Sequence, residues 1–229
     1  MKPLVYILTG ILMSLWISSL TLGGTIVGAV AVKGLPSPKN VAVYIEKVGE
    51  NRFKPPKEAA VLDQRDMMFI PHIMPILLGA KVDFPNNDTV RHNVFSASKA
   101  KMFDLGAYLP GATKSLVFDK PGVVQLLCNI HAEMSAYILV LKNPYFAVTD
   151  KKGMFRIPNR DAMKTAKLEY PELTAGKYIL KTWHEKLKSV SKEVIVPEKG
   201  DVKVFFDLTR GKPTAPYEEE AKRREGKTR

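Results

Sequence analysis

Short runs of β-branched and aromatic residues, each ended by Gly, Pro, Asn or Asp, occupy most of the chain after Lys33. Within many of these runs apolar residues alternate with polar ones, which is the two-residue period of a strand with one buried face. No helical stripe of useful length accompanies them. The pattern predicts an all-β protein, and the regular alternation of strands and turns is typical of a sandwich or barrel.

The predicted strands form two series, separated by Asn143-Pro144. We predict a first β domain over residues 25–142 and a small second β-sandwich over residues 143–209. The opening strands, from Gly28 to Glu46, are compatible with either series, and a short helix is predicted over 159–170. The predicted strands cover residues 25–33, 41–48, 81–84, 92–95, 115–118, 123–128, 136–141, 146–149, 154–157, 178–184, 191–196 and 202–208.

Both ends of the chain differ in composition from the middle. Only Lys2 is charged before Lys33, and a nearly continuous apolar run from Leu4 to Leu22 ends in small residues. This favours a secretory signal over residues 1–24 and a periplasmic or extracellular protein. The alternative is an uncleaved membrane anchor within residues 3–24, because the run approaches the roughly 20 residues that span a bilayer. The charged tail, residues 210–229, is predicted to be disordered.

The charge balance and the cysteine content narrow the choice of partners and cofactors. Lys and Arg number 35 against 23 Asp and Glu, a net charge of +12, which favours a partner with an acidic docking surface. Basic and aromatic residues are not interleaved as in nucleic-acid-binding proteins, and an exported protein rarely meets nucleic acid. The single Cys128 excludes an intramolecular disulfide, zinc ribbons and iron–sulfur clusters.

The most informative segment is a short loop between two predicted strands. It carries a thiol, an imidazole and a thioether at intervals of three residues, Cys128, His131 and Met134, and His92 supplies a second imidazole upstream. Two His, one Cys and a weak axial Met are the donor set of protein sites that transfer electrons through one copper ion. Thiolate and thioether suit Cu(I), and imidazole suits both oxidation states.

This segment and its surroundings resemble the cupredoxins, in particular plastocyanin and amicyanin. The likeness rests on V-x-F-x-N-x-D-x-x-x-H-N-V beginning at Val82, F-x-x-P-G beginning at Phe118, and C-x-x-H-x-x-M beginning at Cys128. The resemblance implies a Greek-key β-sandwich with one type 1 copper. The resemblance implies the copper ligands His92, Cys128, His131 and Met134. It also implies two supporting residues, Asn86 in the upstream block and Asn93. The backbone N–H of Asn93 would contact the Cys sulfur and tie the ligand loops together.

Two residues of the loop depart from those relatives. Ile130 stands where they often carry Pro. Unlike Pro, Ile130 has a backbone N–H. If this N–H points at Cys128, it would withdraw electron density from the thiolate and raise the reduction potential. Glu133 places an anionic oxygen beside the site, where it would replace or supplement Met134 as the axial ligand.

The overall plan also resembles exported, methylamine-utilisation-like proteins, in which a cupredoxin module is joined to a transthyretin-like or carboxypeptidase-regulatory-like sandwich. That likeness is carried by the segments starting at Phe146, Gly153 and Ala175. It implies a small second sandwich after the copper domain. The donor set and the cupredoxin resemblance together predict an electron carrier, not an enzyme, that shuttles single electrons between redox proteins.

Two alternatives stay open. The first is a copper chaperone or metal-handling protein that uses a second Cu(I) cluster, formed by Met67, Met68, His72 and Met74. The second is a binding module in which the cupredoxin domain has a structural role.

Overall fold

The computed structural model describes residues 23–49, 53–159, 170 and 172–217, and in these residues it contains strands and no helix. The predicted all-β class is confirmed. The signal or anchor before residue 23, almost all of the predicted helix over 159–170, and the tail after residue 217 lie outside the described residues. The strands are β1 (Thr25–Lys33), β2 (Ala42–Ile45), β3 (Ala60–Val61), β4 (Asp63–Arg65), β5 (Met68–Ile70), β6 (Ile73–Leu77), β7 (Lys81–Pro85), β8 (His92–Ser98), β9 (Lys101–Tyr108), β10 (Thr113–Val117), β11 (Gly122–Leu127), β12 (Ser135–Leu141), β13 (Phe146–Val148), β14 (Met154–Ile157), β15 (Gly176–Trp183), β16 (Ser191–Val196) and β17 (Asp201–Thr209).

One sandwich is built from β3 to β12. A five-stranded sheet in the order β6-β12-β11-β8-β9 faces a three-stranded sheet in the order β10-β7-β3, and β4 and β5 form a separate hairpin. The inward residues of the two sheets form one core, in which Phe84, Leu126 and Ile138 are fully buried. Burying each such side chain stabilises the fold by about 1.5–3 kcal/mol. This sandwich therefore provides a rigid frame for the loops at its ends.

The opening strands belong to the other sandwich. β1 pairs in parallel with β17 over its whole length, and β2 pairs with β13 and β15. The resulting sheets, β14-β1-β17 and β13-β2-β15-β16, enclose a core of their own. Gly28 permits the close pairing, because a Cβ at this position would lie 2.2 Å from the carbonyl oxygen of Val204. The opening strands, which the sequence allowed in either series, therefore pair with strands of the second series.

A third apolar cluster joins the two sandwiches. β12 alternates its side chains between two buried faces: Ile138 points into the first core, while Leu139 and Leu141 contact β2 and β15 of the second sandwich. Trp183 of β15 closes this cluster and lies 5.3 Å, ring centre to ring centre, from Tyr137. The near-continuous apolar sequence of β12 therefore reflects burial on both sides.

Some strands were not predicted, and they lie at edges. β6 contains Pro75, which argues against a central strand, yet β6 is the edge strand beside β12, where proline is tolerated. β9 forms the opposite edge and carries Lys101, Asp104 and Gly106, which weaken its strand pattern.

The first part of the predicted disordered tail is ordered. Arg210 bridges to Leu187, and the hydroxyl of Tyr217 accepts a hydrogen bond of 2.9 Å from the backbone N–H of Lys142. The prediction of disorder is therefore wrong for residues 210–217, where an aromatic side chain anchors the segment to the body. Within the described part of the chain, no helix is long and apolar enough to cross a membrane.

Candidate metal centre

Three of the predicted ligands meet at one end of the first sandwich. The ligand atoms of His92, Cys128 and His131 all lie within 4.8 Å of one another. β8 begins at His92 and β11 ends at Leu127, and these antiparallel strands are neighbours, so the start of one lies beside the end of the other. His131 then enters from the loop between β11 and β12. The pairing of the strands thus brings His92 and His131, which are 39 positions apart in the chain, into contact.

A β-bulge lies directly after the first histidine. The pairing of β8 with β9 shifts register between Asn93 and Phe95. Such bulges bend a strand and re-aim its side chains. Here three successive residues, His92, Asn93 and Val94, are all buried, which a regular strand with one solvent face would not allow. The irregularity therefore lets His92 lie inside the site while Asn93 also remains buried beside it.

The two imidazoles face each other through the same ring atom. Nδ1 of His92 lies 3.0 Å from Nδ1 of His131, and the ring centres are 4.8 Å apart at an interplanar angle of 65°. His92 is fully buried, whereas His131 is partly exposed. Both Nδ1 atoms are thus directed at the space shared with Cys128, and His131 links that space to the surface.

Met134 and Glu133 differ in burial. Met134 is buried in the same core cluster as Cys128, and its backbone N–H donates to the carbonyl of His131 over 3.1 Å, closing the loop. Glu133 is exposed. This placement favours the thioether over the carboxylate as the fourth donor.

Asn86 organises the loop that leads to His92. Its side chain is fully buried, and its amide nitrogen donates to the carbonyls of Val90 and Tyr108 over 3.0 and 3.1 Å. Its side-chain oxygen accepts the N–H of Asp88 over 3.1 Å. One side chain therefore satisfies three backbone groups and holds residues 86–90 against β9.

Asn93 connects the two ligand loops, but through its side chain. Its Oδ1 accepts the N–H of Asn129, next to Cys128, over 3.3 Å, and its Nδ2 donates to Asp104 over 2.7 Å. Among the described hydrogen bonds, neither the N–H of Asn93 nor that of Ile130 is directed at the sulfur of Cys128. Ile130 is instead an exposed apolar residue beside His131.

Asp88 is a site residue to which the sequence pattern assigned no role. Its Oδ2 accepts a hydrogen bond of 2.7 Å from the N–H of Met67 and lies 2.9 Å from Nε2 of His92. The bond from Met67 and the contact with His92 hold the pKa of this carboxyl well below its usual range. The only signal in the sequence was the aspartate in the upstream motif, four residues before His92.

The residues of the second thioether cluster are dispersed. Met67 and Met68 are exposed on the β4–β5 hairpin, and Met74 is buried in the core of the first sandwich. Both ring nitrogens of His72 already have partners, the carbonyl of Ser135 and the carboxylate of Glu185. The structure therefore does not gather Met67, Met68, His72 and Met74 at one point.

The donor set fits copper. The thiol of Cys128 and the imidazoles of His92 and His131 form a compact group, and the buried thioether of Met134 belongs to the same apolar core as the thiol. Soft sulfur ligands together with imidazole are the donor types of copper sites in proteins. Harder ions such as Mg²⁺ and Ca²⁺ prefer oxygen ligands. The side chains of His92, Cys128, His131 and Met134 offer only nitrogen and sulfur.

No protein-family model and no curated protein matches the sequence. Among solved structures, the chain is similar to a purple cupredoxin from Nitrosopumilus maritimus, with 22% identity over 35% of this chain and 98% of that one, at a TM-score of 0.33. It is also similar to the reduced Cu(I) form of an amicyanin mutant, with 20% identity over 43% of this chain and 97% of that one, at a TM-score of 0.35. A copper-containing nitrite reductase from Thermus scotoductus SA-01 has 22% identity over 50% of this chain and 28% of the reductase, at a TM-score of 0.36.

Proposed function

We propose that the protein is an exported copper protein that carries single electrons between redox partners. The observation that carries the proposal is the convergence of His92, Cys128 and His131, whose ligand atoms lie within 4.8 Å of one another. Met134, the predicted fourth ligand, is buried in the same core cluster as Cys128. When bound, a copper ion would supply the Cu(I)/Cu(II) couple. The residues of the chain hold, shield and connect that ion.

The surroundings of the centre suit a carrier. Cys128 and Met134 belong to the close-packed core of the first sandwich, and His92 is fully buried. A rigid donor set imposes one geometry on both oxidation states, so little reorganisation accompanies electron transfer. Four protein donors also leave no open position for a substrate, which favours a carrier over an enzyme.

The surface near His131 is the proposed contact with the redox partner. His131 is the partly exposed ligand, and Ile130 beside it is 42% exposed. Val90 and Leu109 are also exposed. The Asn86 side chain donates to the carbonyls of Val90 and of Tyr108, the residue before Leu109, so Val90 and Leu109 lie at this end of the sandwich. An apolar contact here, with an acidic partner attracted by the net charge of +12, fits these features.

The second sandwich and the apolar N-terminal run have broader proposed roles than the metal centre. We propose that the second sandwich docks a partner or holds the carrier at a surface, and its transthyretin-like character stays a prediction from the sequence. The periplasmic or extracellular location rests on the apolar run before residue 23 and is part of the same proposal.

The proposal is tested by loading the full chain with one equivalent of Cu(II) and recording visible and electron paramagnetic resonance spectra. We expect an intense thiolate-to-copper band that a reductant bleaches reversibly and that Cys128→Ser abolishes. Met134→Leu should shift the band, and Glu133→Gln should leave it unchanged if the thioether is the axial donor. Absence of the band, with copper bound weakly or only as Cu(I), would overturn the proposal and favour metal handling.

A further inference from the structure

We propose that Asp88 is a positioning residue that fixes the tautomer of His92 and tunes the centre through that imidazole. The tautomer depends on the protein alone, while the tuning of copper rests on the proposed function. Asp88 supplies an anionic oxygen at 2.9 Å from Nε2 of His92, on the side of the ring away from the other ligands.

The chemistry of the two groups determines where the proton lies. An ionised carboxylate is only an acceptor, so Nε2 of a neutral His92 must carry the hydrogen. Nδ1 then keeps its lone pair, and this atom faces His131 and Cys128. His92 is fully buried and the side chain of Asp88 is 8% exposed, so the bond is largely shielded from water. The carboxylate thereby prepares His92 as a ligand before any ion arrives.

The position of Asp88 is itself fixed from several sides. The same Oδ2 accepts the N–H of Met67, and the other oxygen accepts the N–H of Thr89 over 2.6 Å. Asp66 and Met67 adopt positive φ angles of 52° and 55°, as in the tight two-residue turn of a β-hairpin. Gln64 of the same hairpin bridges to Asn86, which holds the hairpin beside the loop. The hairpin, which provides none of the predicted ligands of the centre, therefore belongs to its support.

A carboxylate that accepts a hydrogen bond from a ligating imidazole changes the metal affinity of that imidazole in a known direction. It raises the basicity of the ligand, and loss of such a partner typically lowers metal affinity about 10–100-fold. Its negative charge stabilises the doubly charged ion more than the singly charged one. If affinity for Cu(II) falls tenfold more than affinity for Cu(I), the reduction potential rises by about 59 mV.

The first experiment needs no copper. Nitrogen-15 NMR of the histidine rings in the copper-free full chain at neutral pH should show the Nε2–H tautomer for His92, with His131 donating from Nδ1. A neutral His92 protonated at Nδ1 would overturn the proposal. Because this measurement uses the unaltered chain, it does not depend on the stability of a variant.

The second experiment compares Asp88→Asn with Asp83→Asn. Both remove one negative charge, but Asp83 contacts Lys81 and Ser115 and does not contact His92. Asp88→Asn should weaken Cu(II) binding 10–100-fold and raise the reduction potential, whereas Asp83→Asn should change neither appreciably. Equal effects of the two substitutions would overturn the proposal. If the unaltered chain lacks the thiolate-to-copper band, the proposed function fails, whereas a normal band with an unaffected Asp88→Asn refutes only the role of Asp88.

Discussion

The two sandwiches are joined by a histidine whose charge can be tested. Nδ1 of His72 lies 3.1 Å from the carbonyl of Ser135, in the first sandwich, and Nε2 lies 3.0 Å from Oε1 of Glu185, in the second. Both partners are acceptors, so only a doubly protonated imidazole donates to both. The hydrogen bond to Glu185 raises the pKa of His72 above its ordinary value of 6.5. We therefore predict that His72→Ala destabilises the protein most at low pH.

The magnitude follows from burial. The side chains of His72 and Glu185 are 32% and 11% exposed, and Oε2 of Glu185 is buried without a hydrogen-bond donor, since the nearby Nδ1 of His184 accepts from the backbone of Lys186. Removing one partner of a buried ion pair costs about 3–5 kcal/mol, whereas surface pairs contribute at most about 1 kcal/mol. For a pair between these limits we expect His72→Ala to cost about 2 kcal/mol at pH 6.

The pH dependence has a definite sign. Because the pKa of His72 is higher in the folded state, its stabilisation is fully present below pH 6.5 and is lost as the pH rises through the folded pKa. Burial lowers the pKa of His184, which gives an opposite slope that a single substitution would leave in the measurement. A double-mutant cycle with Glu185→Gln therefore isolates the contribution of the pair.

Urea unfolding at about pH 6 and about pH 9, followed by the fluorescence of Trp183 at the same interface, measures the coupling. We expect a coupling energy of about 1–2 kcal/mol at the lower pH and much less at the higher one. A coupling energy that is zero, or the same at both values, would refute the assignment of His72 as an imidazolium between two acceptors.

Three further predictions concern the ligand loop, its surface and the core. Asn93→Ala removes the acceptor for Asn129 and should weaken Cu(II) binding about 10–100-fold in a competition titration; unchanged affinity would show that the loop needs no such tie. Ile130→Lys should slow electron self-exchange, measured by NMR, without changing the visible spectrum, and an unaltered rate would place electron exit elsewhere. Ile138→Ala, fully buried in the first core, should cost about 2–5 kcal/mol in urea unfolding, whereas Ile195→Ala, 71% exposed, should change stability by less than about 0.5 kcal/mol.

Much of the local structure could be predicted from the sequence, because strand periodicity and turn residues act over short distances. The strands Thr25–Lys33, Met154–Ile157 and Ser191–Val196 have the predicted bounds. The spacing of Cys128, His131 and Met134 on a loop between two strands also identified the candidate centre. In each case the relevant information lies within a few neighbouring residues.

Edge strands and bulges could not be predicted in the same way. Pro75 and Gly106 weaken a strand pattern in the sequence, yet an edge position makes both tolerable in the fold. Whether a strand is at an edge depends on which other strands pair with it, and that is not a local property.

The sequence alone determined the all-β class, most of the strands and the donor types of the centre, since these follow from residue chemistry and short periods. Only the tertiary structure decided that β1 pairs with β17, that Asp88 lies behind His92 and that His72 meets Glu185 across the interface. The reason is physical: backbone hydrogen bonds are alike in every strand, so the choice of a distant partner depends on how whole apolar faces are buried together. The polar contacts that position the centre follow from that packing.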